Sequence, residues 1–217
     1  MYVLVGGGGH ARSVIEAAGD TMFGGYVAPG ESAEPPGVPY LGTDGQLLSG
    51  EIDSKAAVHI TVGIDHGCHL DIRRKVIDQF AAFPAVTVIA GHAVVSRHSH
   101  VGEGSAVMNG AIVNRATVGR HCVINTGAIV EHDCRLGDNV FVAPGAILCG
   151  EVTVGDNAFI GAGAVIRNGV SICAGASVAM GSVVIRNITK PGLYAGNPAR
   201  YVPVSYTHLT LPTNREV

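Results

Sequence analysis

From Val118 onward every sixth residue is aliphatic: Val118, Ile124, Val130, Leu136, Val142, Leu148, Val154, Ile160, Ile166, Ile172, Val178 and Val184. Four positions after these come short side chains, among them Cys122, Ala128, Cys134, Ala146, Ala158, Ala164, Ala176 and Ser182, with glycine concentrated between. A period of six does not fit the 3.6-residue stripe of an amphipathic helix. It fits a solenoid in which each hexad gives one short strand and a turn, and three strands close a triangular coil of about 18 residues. The aliphatic residue then points into the prism, covered by its equivalents in the adjoining coils, so no hexad is stable alone. An earlier register, Ile89, Val95, Val101, Val107 and Val113, reaches Val118 by a step of five. This predicts one continuous parallel β-helix with a shortened turn near Asn114 to Thr117. The 31 glycines and the absence of Trp agree with a regular backbone of crowded turns.

The first part of the chain lacks the period. YVLVGGGGHARSVIEAA, residues 2–18, reads as a strand, a glycine-rich turn and a helix start, with Gly6, Gly8 and Ala11 in GxGxxA spacing. Such a turn brings backbone N–H groups at a helix N-terminus close to a pyrophosphate. The next strand, FGGYVA, ends at Ala28 and Pro29, where a nicotinamide site would carry an acid for the ribose hydroxyl. That argues against a dehydrogenase. After a Pro/Gly loop at 29–39, AAVHITVGI predicts a buried parallel strand, and HLDIRRKVIDQFAAF an amphipathic helix with Ile72, Val76, Ile77 and Phe80 on one side. The expected organisation is a small α/β Rossmann-like domain at 1–86 followed by an all-β helical domain at 87–202. Residues 203–217 break the period and read as a non-native tail.

Several function classes are disfavoured. A net charge of −3 without a basic stripe does not suit nucleic acid. No apolar run reaches the roughly 18 to 20 residues that span a bilayer. Five cysteines without a CxxC pair point to a reducing cytoplasm rather than a disulfide framework. Cys122 and Cys134 fall in the small slot of the repeat and read as packing residues. His92, His98 and His100 lack a third ligand nearby and read as surface residues, so no metal is expected.

One turn stands out. In GAIVEHDCRLGD, residues 127–138, Glu131, His132 and Asp133 interrupt the apolar run. His132 lies two positions past the inward Val130, near a turn and outside the prism. A solvated turn is the plain account. The chemical account is that acyl transfer from a thioester to an amine or hydroxyl needs a base, and imidazole, titrating near 6.5, serves at neutral pH. Asp133 or Glu131 would raise its basicity and fix its tautomer. A backbone amide such as that of Gly150 would serve a developing oxyanion.

Taken together, GGGGHARSVIEAA, INTGAIVEHDCRLGDNVFVAPGA and YAGNPAR resemble the sugar O-/N-acyltransferases with hexapeptide repeats, which include sialic-acid O-acetyltransferases and bacillosamine-type nucleotide-aminosugar N-acetyltransferases. The resemblance spans residues 1–202. It implies a left-handed parallel β-helix that trimerises, an N-terminal domain that binds a nucleotide sugar, and acetyl-CoA in the groove between neighbouring solenoids. It implies His132 as base, Asp133 as its tuning acid and Asn125 as a further catalytic-site residue. Gly8, Gly9 and His10 match the turn that meets the sugar nucleotide; Gly150, Ala162 and Gly181 fall where relatives line the acetyl-CoA groove. Two positions depart from the family: Ala28 and Pro29 replace an acid pair that holds uridine, and Phe141 replaces a histidine that contacts acetyl-CoA. The expected function is acetyl-CoA-dependent N-acetylation of a nucleotide-linked 4-amino-sugar. Alternatives are O-acetylation of sialic acid or another sugar hydroxyl, which needs the same base, and a non-catalytic nucleotide-sugar-binding scaffold. Retention of His132 and Asp133 favours an enzyme.

Overall fold

A computed structural model describes residues 1–19, 22–63 and 70–203; most of the segment read as a non-native tail lies outside the described residues. The chain opens with β1 (Tyr2–Val5), α1 (Gly9–Ala18), β2 (Gly25–Val27), β3 (Tyr40–Gly42), α2 (Asp44–Leu48), β4 (Ala57–Ile60) and α3 (Asp71–Gln79). The four strands form a parallel sheet in the order β3-β2-β1-β4. Val3, Leu4 and Val5 of β1 are buried, as a central parallel strand covered on both faces requires. α1 buries Ala11, Val14, Ile15 and Ala17. A Cβ at Gly7 would run into the Tyr26 ring, so this turn needs its glycine for close packing.

Two sequence expectations need correction. The stretch after the Pro/Gly loop, passed over in the sequence, forms β3 and α2, and α2 starts with a reciprocal Thr43/Gln46 capping box. The helix expected over HLDIRRKVIDQFAAF is α3 alone, and Ile72 is 54% exposed while Arg73 is buried. The inward face therefore reads Arg73, Val76, Ile77 and Phe80, an i, i+3, i+4, i+7 stripe with an arginine at its head. Hydrophobicity alone pointed to the neighbouring isoleucine.

From Val88 the chain enters the solenoid, whose strands stack in three parallel ladders. Val118 pairs with Leu136 and Leu136 with Val154, a rise of one coil per three hexads. The shortened turn is where the five-residue step placed it: Val101 pairs with Val118 and Val113 with Val130, one residue less per coil than Val95 with Val113. The inward residues from Val107 to Val184 and the small slots, Cys122 and Cys134 included, form one buried core. Burial raises the Cys122 and Cys134 thiols to about 12 and about 11, leaving them inert packing groups. Ile89 departs from the inward pattern and is 50% exposed, because the first coil has no coil beneath it.

Side chains pointing out of the three ladders give the prism three different faces. Val88, Ala106, Val123, Phe141, Phe159 and Ser177 are buried, covered by the N-terminal unit. His100, Thr117, Arg135, Thr153 and Ser171 make a polar, exposed face. The third face carries Val94, Ile112, Ile129, Ile147, Val165 and Val183, aliphatic at every rung and left half-buried or exposed.

Arg73 fastens the N-terminal unit to its face. Its guanidinium donates to Ile60 O and Val62 O at 2.8 Å, at the end of β4, and to His121 O and Asn139 Oδ1 of the solenoid at 3.0 Å. All four acceptors are neutral, and burial pulls its pKa down to about 10, so it stays charged at neutral pH. Around it, His10, His59 and His121 are held neutral, at about 3, 4 and 4, by desolvation first and then by Arg73. His59 Nδ1–H donates to Val86 O at 2.7 Å.

Arg73→Leu leaves four acceptors without their donor and is expected to cost about 3 kcal/mol, read as a lower urea midpoint. Acid should act at the same interface. Above pH 6.5 these histidines are neutral in both states; as pH falls from 6.5 toward 4 the unfolded chain takes up protons that the folded chain refuses. Stability is then lost at up to about 1.4 kcal/mol per pH unit for each fully buried histidine, and denaturation midpoints at pH 7.5 and pH 5 would show the fall.

Candidate active site

Three columns of residues with positive φ mark the prism edges. Gly110, Gly127, Gly145, Gly163 and Gly181 line the edge between the docked and apolar faces; Arg115, Asp133, Glu151 and Gly169 line the edge between the apolar and polar faces. Gly104, His121, Asn139, Asn157 and Gly175 line the third. The left-handed conformation turns the chain through each corner.

His132 sits on the second edge, with its neighbours built to hold it. The Asp133 N–H donates to Arg115 O in the coil before, and His132 O accepts from Glu151 N–H in the coil after, at 3.0 and 2.9 Å. The Glu131 carboxylate accepts the His132 N–H at 3.2 Å and the Asn114 side-chain amide at 3.1 Å. The imidazole is half exposed, and its Nδ1 lies 2.9 Å from Asp133 Oδ2. A carboxylate only accepts, so Nδ1 carries the proton and Nε2 is the free base nitrogen. The hydrogen bond to Asp133 raises the His132 pKa above its ordinary 6.5, with the Asp133, Glu131 and Glu151 charges adding in the same direction.

Gly150 stacks on this edge one coil on. A Cβ there would meet His132 Cε1 and Nε2 at 2.5 and 2.6 Å, so the glycine gives the ring its resting surface. The other expected residues lie elsewhere. Asn125, Ala162 and Gly181 belong to the glycine edge across the apolar face: Asn125 Oδ1 accepts from Thr126 N–H at 2.8 Å, and Gly181 N–H donates to Ala162 O at 2.8 Å. Within one chain Asn125 therefore does not join His132. Gly8 and Gly9 are exposed at the start of α1, and His10 packs against Phe141 with ring centroids 5.9 Å apart and its Nε2 buried without a partner. Phe141 is buried on the docked face against Phe159 as well. Ala28 is buried at the end of β2, and the first acids after it are Glu31 and Glu34. His92, His98 and His100 are exposed. The brace from Asn114 and Glu131 was missed in the sequence, because the coil that stacks Asn114 beneath Glu131 is 17 residues long rather than 18.

Residues 115–150 match a family model described as bacterial transferase hexapeptide (six repeats), and residues 151–186 one described as hexapeptide repeat of succinyl-transferase. Among solved structures, the acetyltransferase domain of PglB from Neisseria gonorrhoeae FA1090 is similar with a TM-score of 0.84 at 30% identity, over 93% of this chain and 98% of that one. That domain is also known in complex with acetyl coenzyme A. A histidine-to-alanine mutant of GDP-perosamine N-acetyl transferase from Caulobacter crescentus, in complex with CoA and GDP-perosamine, is similar with a TM-score of 0.81 at 35% identity, over 93% and 96% of the two chains. WeeI from Acinetobacter baumannii AYE matches at 26% identity and a TM-score of 0.75, over 93% and 99%. Comparison with curated proteins gave no significant match.

A left-handed β-helix of hexads whose solved relatives are acetyltransferases is an acyltransferase scaffold. Identity of 30% and 35% over nearly the whole of two such relatives narrows the class, and the chain belongs to the hexapeptide-repeat sugar acetyltransferases.

Gly150→Ala separates site geometry from folding. The clash falls on an exposed ring that can swing away, so stability should change by less than about 1 kcal/mol. The ring would leave its place beside Asp133, and kcat/KM should drop by about 10- to 100-fold, measured with thermal melting as the control.

Proposed function

We propose that the protein is an acetyl-CoA-dependent N-acetyltransferase acting on the amino group of a nucleotide-linked 4-amino-sugar. The observation that carries this reading is the exposed His132–Asp133 pair on the solenoid edge, 2.9 Å apart, with Nε2 left free. The amine attacks the thioester carbonyl as His132 Nε2 takes its proton, and Asp133 stabilises the imidazolium that results. As the amide C–N bond is made the C–S bond breaks, and the imidazolium returns its proton to the departing CoA thiolate. Relatives bound to acetyl coenzyme A and to CoA with GDP-perosamine support the donor and the acceptor class.

The glycine edge suits a long, thin donor. An added Cβ at Gly127, Gly145, Gly163 or Gly181 meets nothing within 4 Å, so this floor is bare backbone open to a ligand. Ala162 and Gly181 on this edge, with Gly150 opposite, are the residues that would hold acetyl-CoA, which supplies the activated acyl group. One chain keeps these two edges on either side of its apolar face. Closing three such faces about a common axis buries Ile112, Ile129, Ile147, Val165 and Val183 and brings the glycine edge of one subunit beside the His132 edge of the next. The active site is thus shared by subunits of a homotrimer, and Asn125 reaches His132 across that interface.

We assign residues 1–86 to a Rossmann-like nucleotide-sugar-binding domain and 87–202 to the acyltransferase domain. The acceptor's nucleotide lies at the Gly8-Gly9-His10 turn, at the C-terminal end of the parallel strands where α/β sheets bind ligands. The supporting observations are the exposed glycine turn and the docking of this unit onto the solenoid.

Thiol release from acetyl-CoA with UDP- and GDP-linked amino-sugars tests the reaction. His132→Ala should lower turnover by at least about 100-fold; full activity in the variant removes the base, and a monomeric mass in solution removes the shared site. The pH profile gives the sign of the Asp133 effect. His132 must be neutral to act, and Asp133 favours the charged form, so activity in the wild type should fall below a pH above 6.5. In Asp133→Asn that limb should move to lower pH while the plateau rate drops.

A further inference from the structure

Arg12 occupies the first turn of α1, two residues past His10 of the Gly8-Gly9-His10 turn. A cation there opposes the helix macrodipole, and the first turn carries no acid to offset it. α1 gains nothing from this charge. Its guanidinium instead reaches the loop after β2: Nη1 donates to Glu34 O at 3.0 Å, and Nη2 lies 3.2 Å from the Glu34 carboxylate. Nη2 also lies 3.6 Å from where a Cβ of Gly9 would be, so the group folds back over the glycine turn.

The loop itself does not depend on that ion pair. Ser32 N–H donates to Tyr26 Oη at 2.9 Å, Ser32 Oγ–H donates to Glu34 O at 3.0 Å, and Glu34 N–H donates to Ser32 Oγ at 3.3 Å. Tyr26 in turn lies under Gly7. The loop backbone is pinned to the glycine turn through these contacts, while the Glu34 carboxylate is 81% exposed and can swing out without unravelling it. One polar atom of the same turn does lack a hydrogen-bond partner among the described residues: His10 Nε2 is buried and unbonded.

We propose that Arg12 binds the diphosphate of the nucleotide-sugar acceptor, and that Glu34 fills that place in the free protein and is displaced when the acceptor enters. The inference rests on the nucleotide-sugar reading of the site given above. A phosphate offers the guanidinium a bidentate, charge-assisted partner that a single exposed carboxylate replaces only loosely. It also meets the N–H groups at the start of α1, which a helix leaves without intrahelical acceptors. Glu34 therefore acts as a built-in competitor: it holds Arg12 over the turn and neutralises it until a stronger anion arrives. Anions without two phosphates compete poorly with it, which makes the pair a filter for nucleoside diphosphates over nucleosides.

The test is calorimetric titration of the full-length protein with UDP, GDP and inorganic pyrophosphate, in the wild type, Arg12→Gln and Glu34→Gln. The two variants should move in opposite directions: Arg12→Gln weakens nucleoside diphosphate binding by tenfold or more, and Glu34→Gln tightens it severalfold. Acetyl-CoA affinity, measured on the same samples, should stay at the wild-type value in both. If the ion pair only stabilises the loop, both variants bind more weakly, and the inference fails. It also fails if the wild type binds a nucleoside diphosphate and both variants match it, an outcome that leaves the nucleotide-sugar reading intact. A wild type that binds none of the three probes overturns that reading and the inference together.

Discussion

Each coil of the solenoid offers three inward aliphatic side chains, and these are covered only by the coils before and after. A strand of two residues has too few ladder bonds and too little apolar area to stand by itself, so stability accrues by stacking. Fully burying each Val, Leu or Ile contributes about 1.5 to 3 kcal/mol, repeated at every rung from Val107 to Val184. Because the inward residues carry the fold, the outward and edge residues are free to differ, and they do. One face is covered by the N-terminal unit, one is polar, and one is aliphatic without a cover among the described residues. The asymmetry of the prism, rather than its core, is what gives this molecule a direction and a place for chemistry.

The rigid edge holds the His132 imidazole in one orientation. The peptide of His132 is hydrogen-bonded to Arg115 below and Glu151 above, and its ring is set between Asp133 and the bare backbone of Gly150. A turn residue in an ordinary loop would have none of these supports. The same edge conformation that lets Asp133 adopt a φ of 60° also points its carboxylate back at Nδ1, so the geometry of the corner and the raised His132 pKa have one cause.

Much of this was legible because the hexad is a strong and local signal. The coil register, the five-residue step, the outward placement of His132 and the packing role of Cys122 and Cys134 all follow from counting in sixes. What the sequence hid depends on distances across the fold. Arg73 looked like one more polar residue on an amphipathic helix, yet it is buried, because four acceptors from β4 and the solenoid converge on it. Ile72 looked like core and faces solvent. The partnership of His10 with Phe141 joins residues 131 positions apart through domain docking, and no period in the sequence relates them. The separation of Asn125 from His132 onto different edges was equally hidden, since seven residues in sequence read as proximity while the triangular coil puts a face between them.

That separation bears on how the two halves of the chain cooperate. The N-terminal unit is clamped to its face by a charged arginine whose four acceptors among the described residues are neutral, an arrangement that replacing any one acceptor would leave poorly satisfied. Such a clamp fixes orientation more than it adds net stability, because the desolvation of the guanidinium offsets much of what its hydrogen bonds return. Orientation is what a transferase of this design needs. The glycine turn and the prism edges belong to separate parts of the chain, and a docked face that slid by one rung would move that turn by nearly a strand spacing, about 4.8 Å, relative to the His132 edge. The buried arginine sets that register, in the way a polar group inside an apolar seam selects one alignment among several that apolar packing alone would tolerate.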